Sequence, residues 1–193
     1  MVTLEDLFEE LTSGEDQVAE AAAQKIRASG STALPRLKDL LHAQEPNVRW
    51  WAVRTLAQFE NPGVAELLQS ALQDPDLSVR QCAALALRHQ PATKPIPDLI
   101  SLLGDEDPLL ARLAGDALIA NGESAVPALL EVMEKGPQAA RLGAVRALAL
   151  IGDERSIPAL FDALDSPSAI VEYWADQGLE RMGVGMVFYK PGV

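Results

Sequence analysis

Three columns of residues recur in step along this chain. The first is Leu7, Leu37, Leu68, Leu99, Leu129 and Leu160, the second Ala22, Ala52, Ala83, Ala114, Ala144 and Ala175, and the third Ile26, Leu56, Leu87, Leu118, Leu148 and Leu179. Each column advances by 30, 31, 31, 30 and 31 residues, so the 193-residue sequence contains six copies of one unit. A period of this length marks a solenoid, in which each unit buries its apolar face mainly against its neighbours. The spacing divides residues 1–183 into units of about 2–30, 31–62, 63–92, 93–122, 123–153 and 154–183, with an apolar tail over 184–193.

Within every unit the leucine precedes the alanine by 15 residues and the third column follows it by 4, so the internal turn has one length. The two one-residue shortfalls lie between units, at Ile26 to Leu37 and Leu118 to Leu129. Two helical stretches flank each turn. Leu34, Leu37, Leu40 and Leu41 share a face in a first stretch, as do Val79, Ala83, Ala86 and Leu87 in a second. Pro35, Pro97, Pro127 and Pro158 occupy equivalent places, which predicts helix starts, where a missing N–H removes no helical bond. Pro46, Pro75, Pro108, Pro137 and Pro167 are expected in the internal turns, and Gly30, Gly63, Gly122, Gly152 and Gly183 at the ends of the second helices. Gln90-Pro91 replaces that glycine in the third unit and predicts an irregular connection. The alanine column, with Thr55, Ala86, Ala117, Ala147 and Gly178 three residues on, lets successive second helices pack closely.

Aromatics make up only 5% of a chain that is 48% apolar, which suits helices rich in Ala and Leu better than strands. The net charge of −12 is spread evenly: residues 1–63, 64–122 and 123–193 each carry −4. That bias argues against a nucleic-acid partner, whose binding rests on Lys and Arg neutralising phosphates. Cys82 is the single cysteine, so no internal disulfide or cysteine-based metal cluster forms. The start, Met1 to Asp6, has neither the basic residues nor the apolar run of a signal peptide, and no stretch reaches the roughly 18 apolar residues of a membrane span. A cytoplasmic protein without membrane contact is expected.

The units resemble HEAT repeats, in the short form found in phycobilisome-lyase-type proteins. The likeness is carried by Leu148-Ala149-Leu150-Ile151-Gly152-Asp153-Glu154-Arg155-Ser156-Ile157-Pro158-Ala159-Leu160 and by the stretch from Asp74 to Leu87, and it covers about residues 2–183. It implies an all-α, right-handed α-solenoid of about six HEAT-like helix pairs. It also implies one of several roles, since such arrays serve as scaffolds, adaptors, bilin lyase subunits working in pairs, and DNA-repair enzymes. The family's arginine near the start of the second helix is present as Arg49, Arg80 and Arg141, while Ala19, Ala111 and Glu172 stand at the other three places, so an interrupted arginine ladder is expected.

For catalysis the chain offers Cys82, His42 and His89, which fall on different units or on a packing side, and no catalytic residue is assigned. Asp105-Glu106-Asp107 lacks the spacing of a calcium loop and reads as a helix-capping turn, so neither metal nor cofactor is expected. The aromatic pairs Trp50-Trp51 and Tyr173-Trp174 occupy the same two places in units two and six. Neighbours on a helix point about 100° apart. Trp51 and Trp174 therefore read as lying in the interior or in the groove between units, with Trp50 and Tyr173 exposed beside Arg54, Arg112 and Arg146. The second helices of such arrays line the concave face, so these five residues form the candidate partner-binding set. The alternative is aromatic packing at the ends of the array.

The expected function is a non-enzymatic scaffold or adaptor that binds a protein or peptide through that face. A bilin lyase subunit or related chromophore-handling protein is the alternative, and a DNA-repair array a more distant one. The tail, with Met186, Val187, Phe188 and Tyr189, either folds back on the last unit or makes an oligomeric contact.

Overall fold

The computed structural model describes residues 2–61 and 63–184. The tail from residue 185 onward, with both roles expected for it, lies outside the described residues. Among the described residues the regular structure consists of twelve α-helices and four short 3-10 turns, with no strand. The fold is all-α, as the repeat period requires.

The chain divides into two compact bodies, Met1–Pro95 and Ile96–Val193. The first holds α1 (Leu4–Leu11), α2 (Asp16–Ala28), α3 (Leu34–Leu40), α4 (Pro46–Leu56), α5 (Val64–Ala71) and α6 (Leu77–His89). They form three pairs in chain order, and the second members α2, α4 and α6 pack in succession. The other body repeats the plan with α7 (Ile96–Ser101), α8 (Pro108–Ala120), α9 (Val126–Lys135), α10 (Gln138–Ile151), α11 (Ile157–Leu164) and α12 (Ala169–Arg181), with α8, α10 and α12 in succession.

All eighteen column residues are buried, the least covered being Leu7 at 7% exposure. The close approach implied by the small residues is most acute at Gly178 of α12, where an added Cβ would lie 2.8 Å from the Ala149 Cβ.

The helix ends follow local chemistry. A capping box opens α1: the Thr3 hydroxyl accepts from the Asp6 amide at 3.1 Å, and the Asp6 carboxylate accepts from the Thr3 amide at 2.8 Å. Asp76 and Asp107 cap α6 and α8 through backbone amides. Pro46 and Pro108 differ from expectation in standing inside their helices, as the first residues of α4 and α8, where proline leaves no helical bond unmade.

Gly30, Gly122, Gly152 and Gly183 adopt the left-handed conformation after their helices. Gly63 does not. Its φ is −72° and it opens α5. Asn61 does the local work there, its side-chain oxygen accepting from the Gly63 amide at 2.9 Å. In the third unit α6 ends on Gln90, which is neither helical nor left-handed (φ −129°, ψ 69°), and the Gln90 side-chain amide donates to the Ala57 carbonyl at 2.9 Å. A side chain thus takes over at the connection where the glycine is missing.

The arginine ladder is interrupted, but its three members share one local role. Arg49 donates to the Ala43 and Gln44 carbonyls, Arg80 to those of Asp74 and Pro75 and Arg141 to that of Gly136, and Arg49 in addition forks onto the Asp74 carboxylate of the following unit.

Candidate functional site

In the first body the chemistry gathers on α4. Trp51, immediately before the column alanine, is 4% exposed, and the Trp50 ring meets it edge-on at 4.9 Å between centroids. That contact leaves Trp50 half-buried, where an exposed ring was expected. The reason is geometric: Trp51 is large enough to present an edge on which its neighbour packs. The Trp51 Nε1 is buried without an acceptor among the described residues, an arrangement that costs about 1–3 kcal/mol.

One turn along, the exposed Arg54 reaches across to α2 and forks onto the Glu20 carboxylate, with Nη2 3.1 Å from Oε2. Cys82 of α6 is half-buried, and burial pushes its thiol up to about 11, against which the Arg54 charge acts only weakly. A thiol so protonated is a poor nucleophile. His42 and His89 are exposed.

In the second body Tyr173 is 56% exposed, as its place on α12 predicts. Trp174, immediately before a column alanine, is half-buried. Its ring lies 5.4 Å from that of Tyr173, and the Arg146 guanidinium of α10 sits 5.8 Å from its centroid. Arg146 is held there by Asp116 of α8, with Nη2 to Oδ1 at 2.7 Å. Arg112 of α8 is exposed. Asp105 and Asp107 accept from the Asp107 and Leu110 amides, so this acidic turn serves the start of α8.

The candidate set therefore falls into two groups described separately: Trp50 with Arg54 on α4, and Arg112, Arg146 and Tyr173 on α8, α10 and α12. The ion pairs that hold Arg54 and Arg146 were not anticipated. A signal existed for one of them, because Asp116 and Arg146 both stand two residues after their column alanines, 30 residues apart.

These helix pairs, stacked through small residues and carrying their polar chemistry on the second helices, define an α-helical repeat protein. The chain matches HEAT repeats over residues 4–88 and 96–180 and belongs to that family. It is 39% identical over 94 residues to the phycocyanobilin lyase subunit beta of Nostoc sp. (strain PCC 7120), covering 48% of this chain and 46% of that protein. Further curated relatives, 36% to 44% identical, are named phycocyanobilin lyase subunit beta, phycobilisome maturation protein and bilin biosynthesis protein. The chain spans about half the length of these relatives, or less.

Among solved structures, the archaeal HEAT-like repeats protein of Thermococcus onnurineus NA1 aligns with a TM-score of 0.68 at 14% identity, over 99% of this chain and 84% of that one. The complex of CpcE and CpcF of phycocyanin lyase from Nostoc sp. PCC7120 aligns with a TM-score of 0.57 at 23% identity, over 95% and 78%. At these identities the two show the fold alone.

The relatives' names overturn the expectation of a non-enzymatic scaffold or adaptor. The nucleophiles and metal ligands on which that expectation turned are scarce in this chain, but a shared repeat packing carries no information about the chemistry grafted onto it. Among the described residues no helix is long and apolar enough to cross a membrane.

Proposed function

We propose that this chain is a HEAT-repeat component of a bilin lyase, acting with a second protein subunit to deliver an open-chain tetrapyrrole to a phycobiliprotein. The observation that carries the proposal is the run of curated relatives, each 36% to 44% identical over 87 to 105 residues, whose names all refer to bilins or phycobilisomes.

The local chemistry supports it. A bilin is a conjugated, flat-ringed molecule with propionate carboxylates, so it calls for aromatic faces with cations beside them. Trp50 offers a half-exposed indole four residues before Arg54, whose pair with Glu20 lies at the surface and exchanges readily for another carboxylate. Tyr173 offers an exposed ring, with Arg112 exposed on α8 of the same body and Arg146 poised against Trp174. In this reading Trp50 with Arg54 on α4, and separately Arg112, Arg146 and Tyr173 in the second body, are the candidate bilin contacts of their own bodies.

The test is reconstitution. The chain is combined with a second lyase-type HEAT subunit, an apo-phycobiliprotein and phycocyanobilin, and covalent bilin is read by zinc-induced fluorescence after denaturing electrophoresis. Attachment above that seen without this chain supports the reading, with lower yields for Trp50→Ala and Arg54→Ala. Equal attachment with and without the chain overturns it.

A further inference from the structure

A groove of about 920 Å³ lies within the second body, walled by α9, α10, α11 and the start of α12. Met133, Leu142 and Val171 supply apolar wall, and Glu134, Asp162 and Asp165 stand at its edge. The acids are placed against helix electrostatics. Asp162 lies in the last turn of α11 and Asp165 is its C-cap, at the end where the unpaired carbonyls already carry partial negative charge. Basic residues usually occupy such a turn, and α11 has none there.

The groove's own cations offset these acids only in part. Arg141 keeps its charge while donating its Nε to the Gly136 carbonyl at 2.8 Å, and Glu134 lies 3.8 Å from the Lys135 ammonium, which leaves Asp162 and Asp165 as the acids at the end of α11. Arg155 is committed to the Asp153 carboxylate at 2.6 Å and to the Glu123 carbonyl. The wider field has the same sign. Residues 1–95 carry 13 acids and 9 bases, a net −4, whereas residues 96–193 carry 15 acids and 7 bases, a net −8. Equal thirds of the sequence concealed this asymmetry because the bodies do not divide at those points.

We propose that this groove docks a segment of a protein partner in which apolar residues alternate with lysine or arginine. The apolar side chains cover Met133, Leu142 and Val171, and a cation caps the end of α11 between Asp162 and Asp165. The partner's charge steers its approach to the more acidic body, and the apolar wall selects among basic segments. The proposal stands apart from the bilin reading, since it uses none of the aromatic or arginine residues invoked there.

The test uses the full chain and two fluorescein-labelled probes, the heptapeptide Lys-Leu-Lys-Leu-Lys-Leu-Lys and its counterpart with serine in place of leucine, followed by fluorescence anisotropy. Saturable binding of the leucine probe is expected, weakening with salt, at least tenfold tighter than the serine probe. Asp162→Lys with Asp165→Lys should weaken it at least tenfold, and Leu142→Glu comparably, with helical circular dichroism unchanged. Glu106→Lys with Glu180→Lys makes the same charge change elsewhere on the body and should alter binding less than twofold. Equal binding of both probes, or equal effects of the two charge reversals, would mean attraction by net acidity alone and overturns the proposal. Self-association abolished by Leu142→Glu would assign the groove to a second copy of the chain, and likewise overturns it.

Discussion

Arg49 and Asp74 form a two-point ion pair between successive repeats, Nε to Oδ2 at 2.7 Å and Nη2 to Oδ1 at 2.8 Å, with side chains only 10% and 8% exposed. The remaining Arg49 nitrogen, Nη1, donates to the carbonyls of Ala43 and Gln44, which close the turn before α4. One side chain therefore ties its own turn to the turn of the next unit. Removing either partner strands the other charge in a largely dry site, at a cost of about 3–5 kcal/mol.

Asp74→Asn is expected to lower the stability of the first body by about that amount, read as a shift in the urea midpoint of Trp fluorescence in a Trp174→Phe background. Replacing both members, as Arg49→Met with Asp74→Leu, is expected to recover a large part of the loss, because no isolated charge remains. A double variant as weak as the sum of the two single ones would show that the ion pair is not the source.

The same pair sets an acid limit. Burial opposes ionisation of Asp74, but hydrogen bonds from Arg49 and from the Asp76 amide outweigh it, and its carboxyl titrates below the ordinary 3.8. A depressed folded value contributes stability that is present above pH 3.8 and is lost as the pH falls through the folded value. The urea midpoint of the first body is therefore expected to fall as the pH drops below 3.8 and through the depressed folded value, and to fall less in Asp74→Asn. Parallel declines in the two proteins would assign the acid sensitivity to other carboxylates.

Gly178 inverts a common rule. Alanine in place of glycine inside a helix ordinarily stabilises by about 1 kcal/mol. Here the new Cβ would meet the Ala149 Cβ at 2.8 Å, its Cα at 2.9 Å and the Leu160 Cδ1 at 2.9 Å, and the Ala149 backbone cannot yield without moving α10. Gly178→Ala is expected to destabilise the second body by about 1–3 kcal/mol, seen as a lower thermal midpoint reported by Trp174. A higher midpoint would mean that α10 and α12 separate at little cost.

Much of this architecture was legible because packing between equivalent neighbours demands the same residue again and again. Ala22 through Ala175 and Gly178 announce close helix contacts by their size and spacing alone. What is decided by one particular neighbour was not legible. Gly63 carries the same residue type as Gly152 but opens a helix, because Asn61 supplies its amide with an acceptor. Trp50 and Tyr173 stand in equivalent places yet differ in exposure, since burial depends on how each ring meets the tryptophan after it. Function was the least legible, because the repeat columns that dominate the sequence are buried packing positions.

The unequal burial of the two leading aromatics separates packing from recognition. Trp50→Ala removes an indole that meets Trp51 edge-on, a contact worth about 0.5–1.5 kcal/mol beyond the area it buries. Tyr173→Ala also removes an edge contact, to Trp174 at 5.4 Å, but with the ring 56% exposed less area is lost and the cost is expected to stay at about 0.5 kcal/mol. Thermal melts are therefore expected to show a clear loss for Trp50→Ala and almost none for Tyr173→Ala, whereas both variants are expected to reduce phycocyanobilin binding in an absorbance titration. Phenylalanine at position 173 should restore most of that binding, because the aromatic face and not the hydroxyl is what Tyr173 presents. If Tyr173→Ala melts early, or binds bilin as well as the parent chain, the ring belongs to the packing of α12 and not to the site.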